Sequence, residues 1–481
     1  MTTETAVQRE DGRAEEPATR PMGHPRIDGL ALLTGVDAGG PEVLRARGRT
    51  LRSTTPRTSL GEWEAGADRR DPVEILEASN RTRVPELVPV RYGRMLVSPF
   101  TYLRGSPAVM AADLATTPTT GIDVQACGDA HLLNFGLFGT PERHLVFDLN
   151  DFDETLPGPW EWDVKRLLTS VVVAARTMGL AEIDADRAAL AGARAYREAI
   201  NRFSLLSQLD IWYARIDVDD VITMLQGRRR RLVERTAAKS RLHTSEQALD
   251  KLTHVVDGRR RITDDPPVVV HVEGGLEPIA ASAFHRYEAS LPEDRRVLLA
   301  QYEFVDLARK VVGVGSVGTR CHIILLSGRV HGDPLFLQVK EAEASVLEPY
   351  IGRSAHATAG ERVVAGQRIT QGSSDMLLGW TSIDDLHFYV RQLRDMKGSA
   401  DLSKLDAQGL VTYTSLCAAT LARAHARTGA APMLSGYLGT GDRFDQAVTR
   451  FAVAYADQNE LDYQRLLAAA ADGRIEVLAG V

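Results

Sequence analysis

Apolar positions change their spacing twice along this chain. EWDVKRLLTSVVVAARTMG, residues 161–179, places them at helical intervals, and Asp184–Leu205 and Asp217–Thr236 read the same way, each as one helix. DPVEILEA, 71–78, predicts a short helix capped by Asp71 with Pro72 in its first turn. Between 88 and 115 the chain reads as an extended stretch followed by a helix starting near Ser106 and Pro107. VQACGDAHLLNFGLF and HLVFDLNDFDE read as two short apolar strands ending in polar residues, with Gly139, Thr140 and Pro141 turning the chain between them.

Beyond Pro267 the spacing shortens. VVGVGSVGTRCHIILL and LFLQVKEA predict a β-hairpin about a Ser327–Pro334 turn, and FYVRQLRDM predicts a further strand. Residues 408–427 return to helical spacing. The pattern defines an α+β protein with a helical majority and no internal repeat.

Length divides this pattern into units. A single core stops growing near ~250–300 residues, so the 481-residue chain is expected to form a helix-rich larger lobe over 51–295 and a β-rich lobe over 296–400. Helices over 401–481 are expected to pack back on the larger lobe. Residues 1–50, rich in Thr, Glu, Arg, Gly and Pro, read as a disordered leader, because they bury too little apolar surface to offset ordering entropy.

Charge and cysteine content narrow the partners. The net charge of -7 supplies no long-range field for nucleic acid or anionic lipid. The Arg228–Arg231 run, within a charged helix, reads as a solvated face. Three widely separated cysteines, Cys127, Cys321 and Cys417, exclude a disulfide framework and a CxxC zinc site, and suit a reducing cytoplasm. No run approaches the ~20 apolar residues needed to cross a bilayer.

The candidate chemistry begins at Gly128-Asp129-Ala130-His131-Leu132-Leu133-Asn134. Asp129 and Asn134 have the Asp-x4-Asn spacing of a phosphotransfer loop, in which one rigid segment carries an aspartate for the acceptor hydroxyl and an asparagine for the metal. Downstream, Asp148, Asn150, Asp151, Asp153 and Glu154 crowd one strand end, where their mutual repulsion calls for a cation. Asp151, with Asp153 beside it, follows Asn134 in the order expected of the second metal ligand, and Asp148 is its rival. Gly313-Val314-Gly315-Ser316-Val317-Gly318 has the GxGxxG form; a strand rather than a helix follows it, which favours a glycine-rich hairpin over phosphates and disfavours a dinucleotide-binding turn. Gly313, Gly315, Ser316 and Gly318 are therefore candidate nucleotide contacts, together with Lys340 on the next strand and a pairing glutamate, Glu348 or Glu361.

Longer strings carry a resemblance. RYGRMLVSPFTYLRG, CGDAHLLNFG, FDLNDFDETLPGPWEWDVKRL, VGVGSVGTR, LQVKEA and GQRITQGSSDMLLGW resemble the uncharacterised bacterial domain-of-unknown-function 2252 family over about residues 70–465. Locally the chain also resembles aminoglycoside and choline phosphotransferases of the protein-kinase-like fold. Their His-Gly-Asp-x-His-x-x-Asn is matched at Gly128, Asp129, His131 and Asn134, with Cys127 in place of the first histidine. Asp151-Phe152-Asp153 looks like their metal-binding element, and Gly158 to Asp163 looks like the Gly-x-Pro-x-x-Asp that opens their next helix. The resemblance implies ATP and Mg2+ as cofactors, Asp129 and His131 as catalytic residues, and Asn134, Asp151 and Asp153 at the metal.

The order of these parts is inverted relative to that fold. The glycine-rich segment and Lys340 follow the catalytic loop here, and the helix ending at His425, which resembles the one leading into that loop, lies near the C-terminus. A circularly permuted two-lobed kinase fold would explain both. Two other readings remain: a metallophosphoesterase, for which His144, His271, His285 or His331 would have to supply ligands, and a non-catalytic nucleotide-binding regulator. The acceptor is not specified by the sequence.

Overall fold

The computed structural model describes residues 40–271, 277–311, 313–393 and 395–480. The expected leader lies outside the described residues up to 39, but Pro41–Thr54 is a helix. Composition hid it because its contact is made by backbone. A side chain at Gly48 would meet Met433 O, and one at Gly436 would meet Arg45 O, so two glycines let this helix lie directly against the helix Ala431–Leu438.

The fold is mixed α+β. Trp160–Thr177 runs through the middle of a helical body, with every residue from Trp160 to Ala175 buried. Glu182–Phe203, Ala407–Ala426 and Arg443–Ala471 pack around it. Their shared core draws Leu168, Val171 and Ala175 from the central helix together with Tyr196, Leu421 and Phe451. Four short strands thread this body: β1 (Asp123–Ala126), β2 (Phe135–Gly139), β3 (Leu145–Leu149) and β4 (Leu156–Pro159). β1 pairs with β4 and β2 with β3, both antiparallel, which folds the acidic segment 150–155 back over the 127–134 loop.

The second body is a sheet. After a small hairpin of β5 (Thr253–Val256) and β6 (Arg259–Ile262) come β7 (Val269–His271), β8 (Tyr302–Lys310), β9 (Cys321–Gly328), β10 (Pro334–Ala342), β11 (Gly379–Ile383) and β12 (Leu386–Gln392). Their order is β11-β12-β10-β9-β8-β7, all antiparallel. β10 is central, and its nearly continuous burial explains why LFLQVKEA does not alternate. The helix Ala359–Thr370 packs on β11, β12 and β10 and joins this sheet to the helical body. A two-residue strand, β13 (Gly398–Ser399), then pairs with β2 as the chain returns.

Several expectations are corrected. Residues 88–105 are not extended; they form the helices Val88–Met95 and Pro99–Gly105 ahead of Pro107–Leu114, each with a proline in its first turn. Residues 217–236 are two helices, Val218–Met224 and the start of Gly227–Arg241, broken where Gly227 takes φ +58°. The glycine-rich stretch before Cys321 is a turn between β8 and β9, not part of a strand; Val312 lies outside the described residues. Arg228–Arg231 is exposed on its helix. Among the described residues no helix is long and apolar enough to cross a membrane.

Candidate active site

Asp163, in the first turn of the central helix, fixes the loop that follows β1. Its two oxygens accept the backbone N–H groups of Cys127 (2.6 Å) and Gly128 (2.9 Å). His425 Nε2 lies 3.1 Å from the same carboxylate, with its other nitrogen 2.8 Å from the Tyr196 hydroxyl. Gly128 has φ +80°, and a side chain there would fall 2.3 Å from Glu154 O, so only glycine lets the loop cross the acidic segment so closely.

The loop then presents Asp129. One oxygen receives Arg166 Nε at 2.5 Å, while Arg166 Nη2 donates to Leu103 O, so a buried guanidinium holds the carboxylate in place. His131 Nε2 lies 3.9 Å from the other oxygen. Burial lowers the His131 pKa to about 4, leaving a neutral ring at pH 7.

Asn134 ties this loop to the next. Its Nδ2 donates to the backbone oxygens of Asp129 (2.9 Å) and Asp151 (3.0 Å). Its Oδ1 accepts from the Asp151 N–H (2.7 Å) and the Asn150 N–H (3.3 Å). A carbonyl oxygen has two lone pairs, so the oxygen expected to hold metal is instead used as a latch. Asp148 leaves the contest altogether: it is buried against Arg423, also accepts the Gly372 N–H, and does not line the cleft.

Asp151 and Asp153 meet Lys340, which comes from the centre of the other sheet. The ammonium lies 3.5 Å from Asp151 Oδ1 and in closer contact with Asp153 Oδ2, and the Tyr389 hydroxyl donates to Asp153 Oδ1 at 2.9 Å. Burial works to raise the Asp151 carboxyl, but Lys340, Arg391 and His131 outweigh it and hold the pKa down to about 2. Burial and the neighbouring Asp151 push Asp153 up. Lys340 itself is held well above its ordinary value by the two carboxylates, against the effect of burial.

The glycine-rich turn lies over this group. Ser316 Oγ is 3.5 Å from Asp153 Oδ2, while Gly313 and Gly318 take φ +68° and +92°. Arg94 donates to Gly313 O and Arg83 to Val317 O, which hold the turn against the helical body; Gly315 lies against Arg104 O. Neither expected glutamate reaches Lys340. Glu348 caps Ser345 N, and Glu361 faces Ala357 N and His356. The residue that the helix Ala359–Thr370 sends inward is Arg362, whose guanidinium donates to the backbone oxygens of Thr155, Asp153 and Glu343.

Asp129, His131, Asn134, Asp151, Asp153, Gly313, Gly315 and Ser316 line a cleft of about 470 Å³, and Lys340 and Gly318 stand behind that lining rather than in it. Arg83, Arg91, Arg104 and Arg391 share it with the acids, and among the described residues none of the four makes an ion pair. Arg91 Nε, Arg104 Nε and His131 Nδ1 are buried in its wall without a hydrogen-bond partner. Unpaired cations and unused donors fit a polyanion such as a triphosphate. Two adjacent carboxylates also suit Mg2+, which takes one or two carboxylates plus phosphate oxygens rather than a full protein cage. Among the described residues no three His, Cys, Asp or Glu side chains form such a cage, and none of His144, His271, His285 and His331 lines the cleft. The sequence reading missed Asp163, Arg166, Tyr389 and Arg391; Asp163 alone had a signal, the helix-opening Gly158–Asp163 string.

The architecture is thus a mixed α+β chain whose helical body and antiparallel sheet face each other across an acidic and arginine-lined cleft. Residues 83–469 match the family model of uncharacterised proteins conserved in bacteria known as DUF2252, and the chain belongs to that family. Neither a curated protein nor a solved structure matches it.

Proposed function

We propose that this protein is an ATP- and magnesium-dependent phosphotransferase acting on a hydroxyl-bearing acceptor. The observation that carries the reading is the meeting of Lys340 with Asp151 and Asp153, from segments nearly two hundred residues apart, beneath a glycine-rich turn and beside Asp129.

The succession of parts supports it. In kinase-like sites a glycine-rich loop joins the first two strands of a small lobe and the phosphate-binding lysine stands on the third. Here β8, the turn at 313–318, β9 and Lys340 on β10 follow that succession, and the helix Ala359–Thr370, β11 and β12 complete the lobe. In the other body, Asp129, Asn134 and Asp151 succeed one another along a loop and the β2–β3 pair. Because the lobe comes second in the chain, and the helix ending at Ala426 packs beside β1, a circularly permuted kinase-like fold accounts for the order.

The residues then divide the work. Lys340 and the unpaired arginines bind phosphate oxygens, and the glycine-rich turn covers them. Asp151 and Asp153 are the carboxylates for Mg2+, which when bound neutralises charge on the phosphates. Asn134 positions Asp151 through its backbone. Asp129, held by Arg166, orients the acceptor hydroxyl and receives its proton. His131, neutral, offers no charge of its own.

Calorimetry with ATP tests this reading. Binding is expected with Mg2+ and lost in excess chelator; equal binding in both would overturn the magnesium assignment, and no binding would overturn the function.

A further inference from the structure

A second cavity, of about 890 Å³, opens beside the cleft and has no role in the site described above. Its body is apolar: Phe100, Leu137, Phe147, Val221, Leu225 and Tyr413 line it. Leu133 and Arg104 line both cavities, so the common wall is made by the Asp129–Asn134 loop and the helix Pro99–Gly105. The volume falls in the range of small-molecule sites, roughly 300–1,000 Å³.

The mouth is cationic. Arg229, Arg235 and Lys239, on the helix Gly227–Arg241, are exposed at its edge, and among the described residues none of these three side chains makes a hydrogen bond or ion pair. The one carboxylate in the lining, Asp401, is already paired with Lys404 at 2.6 Å. Arg229 thereby draws the arginine run into a site, although the run as a whole remains a solvated face. An apolar interior with unpaired cations at its rim is complementary to a molecule with an apolar body and an anionic group.

We propose that this cavity holds the acceptor, and that the acceptor is an anionic amphiphile whose hydroxyl reaches the Asp129 cleft past Leu133. The proposal rests on the phosphotransfer reading. In the step it implies, the acceptor oxygen forms the new bond to the γ-phosphorus as the bond from that phosphorus to the bridging oxygen breaks. The hydroxyl proton passes to Asp129, and ADP leaves.

The test uses the full chain and three probes below micellar concentration: decanoate, 1-decanol and decyltrimethylammonium. Decanoate is expected to bind by calorimetry more tightly than the other two and, lacking a hydroxyl, to lower basal ADP formation. The double variant R235E/K239E changes only exposed positions. It should weaken decanoate by roughly tenfold or more, with ATP affinity and Tm unchanged, and Val221→Trp should fill the cavity and abolish binding. Equal binding of the three probes, an unaffected double variant, binding only to phosphatidylglycerol vesicles, or bound decanoate that leaves ATP turnover unchanged would each overturn the proposal. ATP binding without decanoate binding overturns this inference alone; decanoate binding without ATP binding supports the anionic-amphiphile site and overturns the phosphotransfer reading.

Discussion

Replacing Lys340 with methionine keeps the buried stem and removes the ammonium from between Asp151 and Asp153. The Lys340 side chain is 3% exposed, whereas Asp151 is 45% and Asp153 24% exposed. Truncating one partner of a fully buried pair costs ~3–5 kcal/mol; the partial access of both acids to water brings the figure here to about 2 kcal/mol, a few degrees in Tm. The sign with pH follows from Asp151. Its folded pKa of about 2 lies below the ordinary value of 3.8, so the stabilisation is present above pH 4 and is lost as pH falls towards 2. The Lys340→Met deficit should therefore be full at pH 7 and narrow between pH 4 and pH 2. On the proposed function Mg2+ binds the same two carboxylates and supplies the missing positive charge, so millimolar Mg2+ should raise the Tm of the variant more than that of the wild type. Thermal unfolding with and without Mg2+ measures all three effects. A variant as stable as the wild type at pH 7, a deficit constant with pH, or an equal Mg2+ shift in both proteins would refute the reasoning.

Asp129→Asn should lower ADP formation by roughly 100-fold or more while sparing ATP affinity; parallel loss of both would place Asp129 in binding rather than transfer. Asp163→Asn weakens the acceptor of two loop amides and the partner of His425, and should cost about 2–4 kcal/mol in urea unfolding. A cost under about 1 kcal/mol would remove it as the loop's anchor. Burial raises Glu154 from its ordinary 4.5 to about 7, so its protonated form favours the fold; that contribution is full below pH 4.5 and is lost as pH rises through 7. Glu154→Gln mimics the protonated acid and still accepts from the Val346 N–H, and should be more stable than the wild type at pH 8 by about 1–2 kcal/mol. The difference should shrink towards pH 5, and one that does not change between those pH values contradicts this account.

What the sequence conveyed was mostly local. Asp129 and Asn134 share one loop, and the β9–β10 hairpin is closed by its own turn, so spacing alone could register both. Three prolines misled the reading of 88–107, because a residue before proline leans towards extended backbone, yet each of these prolines opens a helix. Other features depend on which way an element turns in the folded protein. Glu361 and Arg362 are neighbours on one helix, and packing, not composition, sends the arginine inward. Asn134 carries the residue type of a metal ligand, but its oxygen is committed to the Asp151 and Asn150 amides, which no spacing rule reveals. Arg166 reaches Asp129 across 37 positions, and nothing in a linear pattern joins them.

The bond between Asp163 and His425 has a consequence for how the protein is made. The two residues are 262 positions apart, so a ribosome releases the 127–134 loop and its carboxylate anchor long before the histidine that completes them. Lys340 also emerges late, 189 positions after Asp151. At ~5–20 residues per second, the early segment waits on the order of ten seconds or more with a charged side chain and two backbone amides facing an unfinished interior. Contacts of such long range slow folding. Protection of the Cys127 and Gly128 amides from exchange should therefore appear only after the helix Ala407–Ala426 has left the exit tunnel.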